Sequence, residues 1–259
     1  MIQVWNGLTF VDIEDAKVWS GSSFVSPDIW IWDGNFTKIW PPVGVALGRI
    51  GNGETEQFSS ASDGEMNGFT FSCIGNCAIA TVGGYRSSSA GMTFGVNYGA
   101  TAMTPIGSII WGDNNSGSNS SFVQWFGLMD PPSGAQTIQA WWDAGGFASP
   151  YMAVNVSSWA GVTSWAGPTA EAGTESGTAL SLDVASNGGE MVLQCFMVEN
   201  LTSTGGYPER AGDPVLYSLN GGYGRGNVAY KAGASTVNFT ATRPQSGQDY
   251  SGSAICLLS

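Results

Sequence analysis

Nowhere along the 259 residues does an apolar pattern with the roughly 3.6-residue period of a helix persist for three turns. Apolar runs are short, and Gly, Ser, Thr and Asn break them every few residues. Glycine occupies 38 positions, while charged residues, which include the helix formers Lys, Arg and Glu, make up only 11 %. The sequence therefore predicts an all-β protein. Its length allows one large β domain or two smaller ones, either able to bury a real core.

Three copies of one phrase open the chain: Val4-Trp5-Asn6-Gly7-Leu8-Thr9-Phe10-Val11, Val18-Trp19-Ser20-Gly21-Ser22-Ser23-Phe24-Val25 and Ile31-Trp32-Asp33-Gly34-Asn35-Phe36. Asn-Gly, Ser-Gly and Asp-Gly between apolar residues read as tight turns, because Gly accepts the positive φ of primed hairpin turns. Each copy thus predicts a small hairpin. In the third, Phe36 arrives one place early, which predicts a bridge into Trp40-Pro41-Pro42 in place of a full hairpin. Two short strands do not bury a Trp and a Phe alone, so such units need neighbours. Residues 1–42 read as an assembly segment, with Trp5, Phe10, Trp19, Phe24 and Trp32 as its docking aromatics. Pro41-Pro42 is a stiff spacer that ends it, and residues 43–259 form the second domain.

Residues 43–68 are rich in Gly, Ser and acids, and predict a surface wrap or one weak strand. Short strands then follow: 69–73, 77–82, 92–98, 106–111, 122–129, 137–142, 151–157, 179–184, 190–198, 215–219, 236–242 and 254–258. Leu180-Ser181-Leu182-Asp183-Val184 and Val237-Asn238-Phe239-Thr240-Ala241 alternate strictly, so each has one wet face. Met191 to Val198 is apolar almost throughout and belongs centrally, or with its second face covered. A two-sheet, jelly-roll-like antiparallel β-sandwich accommodates this set and limits exposed strand edges.

The net charge of −12 excludes a nucleic-acid partner, since phosphate binding needs clustered cations; Lys17, Lys38, Lys231 and five scattered arginines form no basic run. The same acidity repels anionic membrane surfaces, and no apolar run is long enough for membrane insertion as a helix. Met1-Ile2-Gln3-Val4-Trp5 lacks the features of a signal peptide, so the product is expected to act without the secretory pathway. Cys73-Ile74-Gly75-Asn76-Cys77 reads as a local disulfide, half a metal site or two unrelated strand residues, while Cys195 and Cys256 read as buried thiols; free thiols are the default in a reducing cytosol. A zinc site would have to recruit all four, because the chain contains no His; no metal or other cofactor is expected. Asp113-Asn114-Asn115-Ser116-Gly117 lacks the later acidic ligand of a calcium loop and reads as an exposed loop.

Lack of histidine removes Ser-His-Asp and Cys-His catalysis. Asp130, Asp143, Asp183 and Glu190, near Trp125, Trp141 and Trp142, are the carboxylates available to a glycosidase, but they read as loop and strand-end residues. The chain is therefore expected not to be an enzyme. Trp141, Trp142, Trp159 and Trp165 are a candidate ligand platform, because sugar faces stack on exposed indoles. Core or interface packing is the competing reading for each. Adjacent strand residues face opposite ways, so at most one of Trp141 and Trp142 fills the core cleanly.

The tandem Val-Trp-x-Gly-x-x-Phe-Val phrase resembles the N-terminal segments of minor tail proteins from phages of actinobacteria. A β-sandwich module of such proteins is similar to Val96–Thr104, Phe126–Thr137 and Val156–Val162. The resemblance covers residues 1–40 and about 95–200, and nothing after 200. It implies a virion structural subunit at the tail tip, assembled in the host cytoplasm as a homotrimer among other phage tail proteins. The alternatives are a carbohydrate- or receptor-binding module for host cell-wall glycan, and a capsid decoration protein.

Overall fold

The computed structural model describes residues 3–5, 10–12, 18–19, 24–25, 29–32, 36–40, 45–50, 54–57, 61–86, 92–112, 120–148, 151–174, 178–199, 206–210, 212–221, 224–244 and 249–259. Every regular element among them is a β-strand, and all pairings are antiparallel. None of these residues forms a helix long and apolar enough to cross a membrane. The chain divides into two compact units, Met1–Val43 and Gly44–Ser259.

The first unit contains three separate two-stranded sheets. β1 (Gln3–Trp5) pairs with β2 (Phe10–Asp12), β3 (Val18–Trp19) with β4 (Phe24–Val25), and β5 (Ile29–Trp32) with β6 (Phe36–Trp40). In each, the repeat's Trp is the register partner of its Phe: Trp5 with Phe10, Trp19 with Phe24, Trp32 with Phe36. The first two pairings leave four residues between partners and the third leaves three, so the connections are longer than two-residue primed turns. The third copy is a full hairpin, with the longest strands of the three, and not the bridge its spacing predicts. Shifting Phe36 forward shortens its loop and preserves the pairing. The Pro41-Pro42 spacer and the Asp113–Gly117 loop lie outside the described residues.

The second unit builds the same eight-strand arrangement twice. In the first half, β7 (Ala46–Ile50) and β8 (Glu54–Gln57) pair with successive parts of one partner, so they act as one interrupted strand. β9 (Ala61–Glu65) and β10 (Phe69–Ser72) form a second such strand. Then come β11 (Cys77–Arg86), β12 (Thr93–Tyr98) with the short β13 (Thr101–Ala102), β14 (Thr104–Trp111), β15 (Ser120–Met129), β16 (Ala135–Ala148) and β17 (Tyr151–Ala160). The second half is β18 (Ser164–Thr174), β19 (Ala179–Val184), β20 (Met191–Glu199), β21 (Glu209–Arg210), β22 (Val215–Gly221), β23 (Gly224–Ala232), β24 (Val237–Thr242) and β25 (Asp249–Leu258). Numbered from one to eight within each half, the strands make one sheet in the order 1-8-3-6-5 and another in the order 2-7-4. This is a jelly-roll order, with the fifth strand attached to the sixth.

Side-chain alternation shows how the four sheets stack. Ala78, Ala80, Val82, Phe122, Phe126, Met152, Val154 and Val156 face Phe69, Phe94, Val96, Ile138 and Trp142, filling the first sandwich. From the opposite face of the same sheet, Cys77, Ile79, Val123, Trp125 and Trp159 meet Leu193, Cys195, Met197, Leu219, Val228, Ile255 and Leu257 of the second half. Val192, Phe196, Val198 and Tyr250 then face Leu180, Leu182, Val184, Val237 and Phe239. The two five-strand sheets are therefore inner layers, packed face to face, and the 2-7-4 sheets are outer layers.

Several of the contacts across the middle are reciprocal. β15 lies on β20 and β11 on β23; β14 lies on β18 and β8 on β22; β14 meets β25 and β17 meets β22. In strand positions these are 6 with 3 and 3 with 6, 5 with 1 and 1 with 5, 5 with 8 and 8 with 5. The third strands, β11 and β20, meet each other. That partial reciprocity is what an approximate two-fold pairing of the halves gives, and β15 with β25 and β11 with β22, which have no counterpart of similar extent, depart from it. The backbones approach closely at Gly84 and Gly224, where a Cβ on Gly224 would sit 2.7 Å from the Gly84 carbonyl carbon.

The all-β, antiparallel sandwich class read from the sequence holds, with four sheets in the second unit where two were expected. Residues 43–68 supply β7, β8 and β9, not a wrap or a single weak strand. These strands join sheets through their backbones, which need no apolar pattern. Met191–Glu199 is the middle strand of its sheet, with both faces covered. The alternating strands at Ala179 and Val237 pair with each other in the outer layer, and their alternate residues are exposed.

Candidate functional site

The outer face of the first sandwich carries the strongest candidate. On β16, Ile138, Ala140 and Trp142 point into the core, so Thr137, Gln139, Trp141 and Asp143 point outward. The adjacent tryptophans part company, one to each face. Each leans on a glycine of a flanking strand. Trp142 lies over its register partner Gly64 inside the sandwich, where an added Cβ would fall 2.0 Å from the indole. Trp141 lies over its register partner Gly95 on the outside, where a Cβ would fall 2.2 Å from the ring. Gly95 thus makes the seat for a flat aromatic surface that the core does not need.

Glu65 is the register partner of Trp141 on its other side, and Asp143 stands two residues further along the same face. Both acids are exposed, while Trp141 is partly covered. Gly64, Glu65, Trp141, Trp142 and Asp143 line a hollow of about 400 Å³. Gln139 donates its side-chain amide to the Met66 carbonyl, and Thr93 donates its hydroxyl to the Asp143 carbonyl at 3.4 Å, which fixes the floor. The arrangement sets an aromatic face beside two exposed carboxylates on a paired sheet.

Of the other sequence-selected tryptophans, Trp142 meets the hollow only from within the core, and Trp159 and Trp165 are elsewhere. Trp142 and Trp159 are enclosed, at 2 % and 0 % exposure, so they are withdrawn from the ligand platform. Trp159 sits in the middle core, edge-on to Tyr230, with its indole N–H donated to Ser157 at 2.9 Å. Trp165 is half-buried against the same core, its ring over Gly127. Of the four, Trp141 alone combines an outward position with the hollow. The side chains of Trp5, Phe10, Trp19, Phe24 and Trp32 lie outside the described residues; only their backbone pairing is given above.

The carboxylates considered for hydrolysis are dispersed. Asp143 is on one outer layer and Asp183 on the other, where it accepts from Asn238 at 2.7 Å. Asp130 occupies a turn at φ 48°. Glu190 precedes β20 and accepts the Asn187 backbone and side-chain N–H groups, which hold its carboxyl below the usual range. Trp125, once an aromatic partner for these acids, is buried in the middle core and donates to Ser253 at 3.0 Å.

All four cysteines are unbridged. Burial pushes the Cys77 and Cys195 thiols up to about 12, and burial beside Glu190 does the same for Cys256. Such thiols are poor nucleophiles and poor metal ligands at neutral pH. Among the described residues, no three His, Cys, Asp or Glu side chains converge on a metal position.

Sequence reasoning missed the charged network of Arg210, Asp213 and Lys231 in the second half. Arg210 donates to the Asn227 side chain and backbone, lies 4.8 Å over the Phe196 ring and pairs with Asp213, which also binds Lys231 at 2.6 Å. Arg210 and Asp213 are deeply buried, and burial pulls the Arg210 guanidinium down to about 10. The signal available was Glu209-Arg210 and Asp213 near Lys231, four charges in a chain otherwise poor in them.

No protein-family model matches the chain, and no curated protein matches it. A solved structure described as the mavirus major capsid protein aligns over 93 % of this chain and 90 % of its own, at 7 % identity and a TM-score of 0.18. A likeness at that level carries no argument about fold or function.

Proposed function

We propose that this chain is a non-enzymatic virion structural protein, a minor tail subunit at the tail tip. Residues 1–42 dock it to other tail proteins, and the stacked sandwiches project from that anchor. The subunit assembles in the host cytoplasm as a homotrimer. The observation that carries the reading is the tandem set of small hairpins, each pairing a Trp with a Phe in register, in a unit apart from the sandwiches. Isolated two-stranded sheets of this size are marginal in water and gain stability against a partner surface. The second unit has its own three cores and needs no anchor to fold.

Replacing Trp5 and Trp19 together by Ala is expected to release the protein from particles while purified protein keeps its cooperative unfolding. Retention of the double variant in assembled particles would refute the anchoring role. Immunogold labelling on heads instead of tails would favour the decoration alternative, and light scattering on the purified protein tests the trimer.

A further inference from the structure

We propose that the outer face of the first sandwich is a binding site for a neutral or amino-substituted pyranose, with Trp141 as the stacking platform and Glu65 and Asp143 as hydrogen-bond acceptors. The inference does not rest on the virion reading, because the site is complete within the sandwich. It rests on a comparison that the molecule provides internally. The second sandwich has the same strand order, so its seventh strand, β24, is the counterpart of β16. The outward residues of β24 are Asn238, Thr240 and Thr242, with no aromatic among them. There, Asn238 donates to Ser181 and Asp183 at 3.0 and 2.7 Å, and Lys231 donates to the Asn238 carbonyl at 2.5 Å. This architecture therefore closes without a tryptophan at the outward position of its seventh strand. Trp141 is an addition to the fold, not a requirement of it.

The seat is built for that addition. An indole lies flat only where the neighbouring strand has no side chain, and Gly95 supplies that opening. The result is an aromatic face beside an open, shallow hollow of about 400 Å³ on the sheet surface. An indole presents a π-face to the C–H face of a sugar ring, while carboxylates at the rim accept from its hydroxyl or ammonium groups. Charge selects among sugars. Glu65 and Asp143 flank the platform, and the chain carries −12 overall, so uronic, sialic and phosphorylated glycans are repelled.

The test is a glycan array probed with the full chain, carrying neutral, amino-substituted and anionic oligosaccharides, followed by titration calorimetry on the strongest ligand. Binding is expected among the neutral or amino-substituted glycans, weakened by about thirty-fold in Trp141→Ala. Gly95→Val keeps the indole but removes its seat, and is expected to weaken binding similarly. If either variant is poorly folded, Glu65→Gln with Asp143→Asn serves, with at least a several-fold loss expected. Binding confined to anionic glycans, binding indifferent to these substitutions, or no binding to any glycan would each overturn the proposal. Capture of a protein ligand alone counts as the last of these.

Discussion

The two sandwiches share a strand order and differ in what they do with their outer faces. In the second, Asn238 donates from β24 to both Ser181 and Asp183 of β19, and Arg210, Asp213 and Lys231 form a charged network. In the first, the outer face holds a tryptophan on a glycine seat beside exposed acids. The inner faces are treated alike, pressed together through a common core of Trp125, Trp159, Leu193, Met197 and Leu219. Stability is thus shared at the centre, and individuality sits at the periphery. A topology fixes which faces must be apolar and leaves the outermost face open to other demands.

The largest expected effect tests the shared centre. Trp125→Ala removes a buried indole and its hydrogen bond to Ser253, and is expected to cost about 3–5 kcal/mol. Because the core belongs to both halves, differential scanning calorimetry should show one transition moving down as a whole. Two transitions, with only one displaced, would mean that the halves unfold independently.

Next comes the charged network that distinguishes the second half. Asp213→Ala leaves Arg210 buried beside a missing partner, at an expected cost of about 3 kcal/mol. Amide exchange should accelerate first in β21, β22 and β24 while β16 stays protected. Equal acceleration in both outer sheets would erase the distinction.

Smallest is Asn238→Ala, which removes exposed hydrogen bonds on the polar outer face and should cost under about 1 kcal/mol by urea denaturation. A cost of several kcal/mol would make that face a structural element, and would weaken its use as the reference against which Trp141 stands out.

Much of this fold was readable because alternation exposes a wet face. The strands at Leu180 and Phe239, and the covered strand at Phe196, declare their layers in the sequence. The doubling did not, for a chemical reason. The inner-layer strands are buried on both faces, yet many inner positions are Ala, Gly or Ser: Ala78, Gly83 and Gly84 on β11, Ser157 and Ser158 on β17, Ser251 and Ser253 on β25. Small residues let two sheets approach closely, and they look like turn or surface residues in a sequence. β23 was lost the same way, since Gly224 and Gly226 break its pattern while making room for Gly84 and Met197. The Trp141 site was half legible. Period-two alternation separates Trp141 from Trp142, but Glu65 and Gly95 reach it only through strand pairing distant in sequence.

The face-to-face packing of the two halves, in which β11 meets β20, has a consequence for how the molecule changes over time. A dimer of identical chains must keep both copies of a surface alike, and it holds together only above its dissociation constant. Here residues 161–163 alone separate the end of β17 from the start of β18. So short a tether keeps the two halves at an effective concentration of roughly millimolar or more at any dilution. The contact survives with serines inside it, and either outer face is free to acquire a substitution that the other never shares.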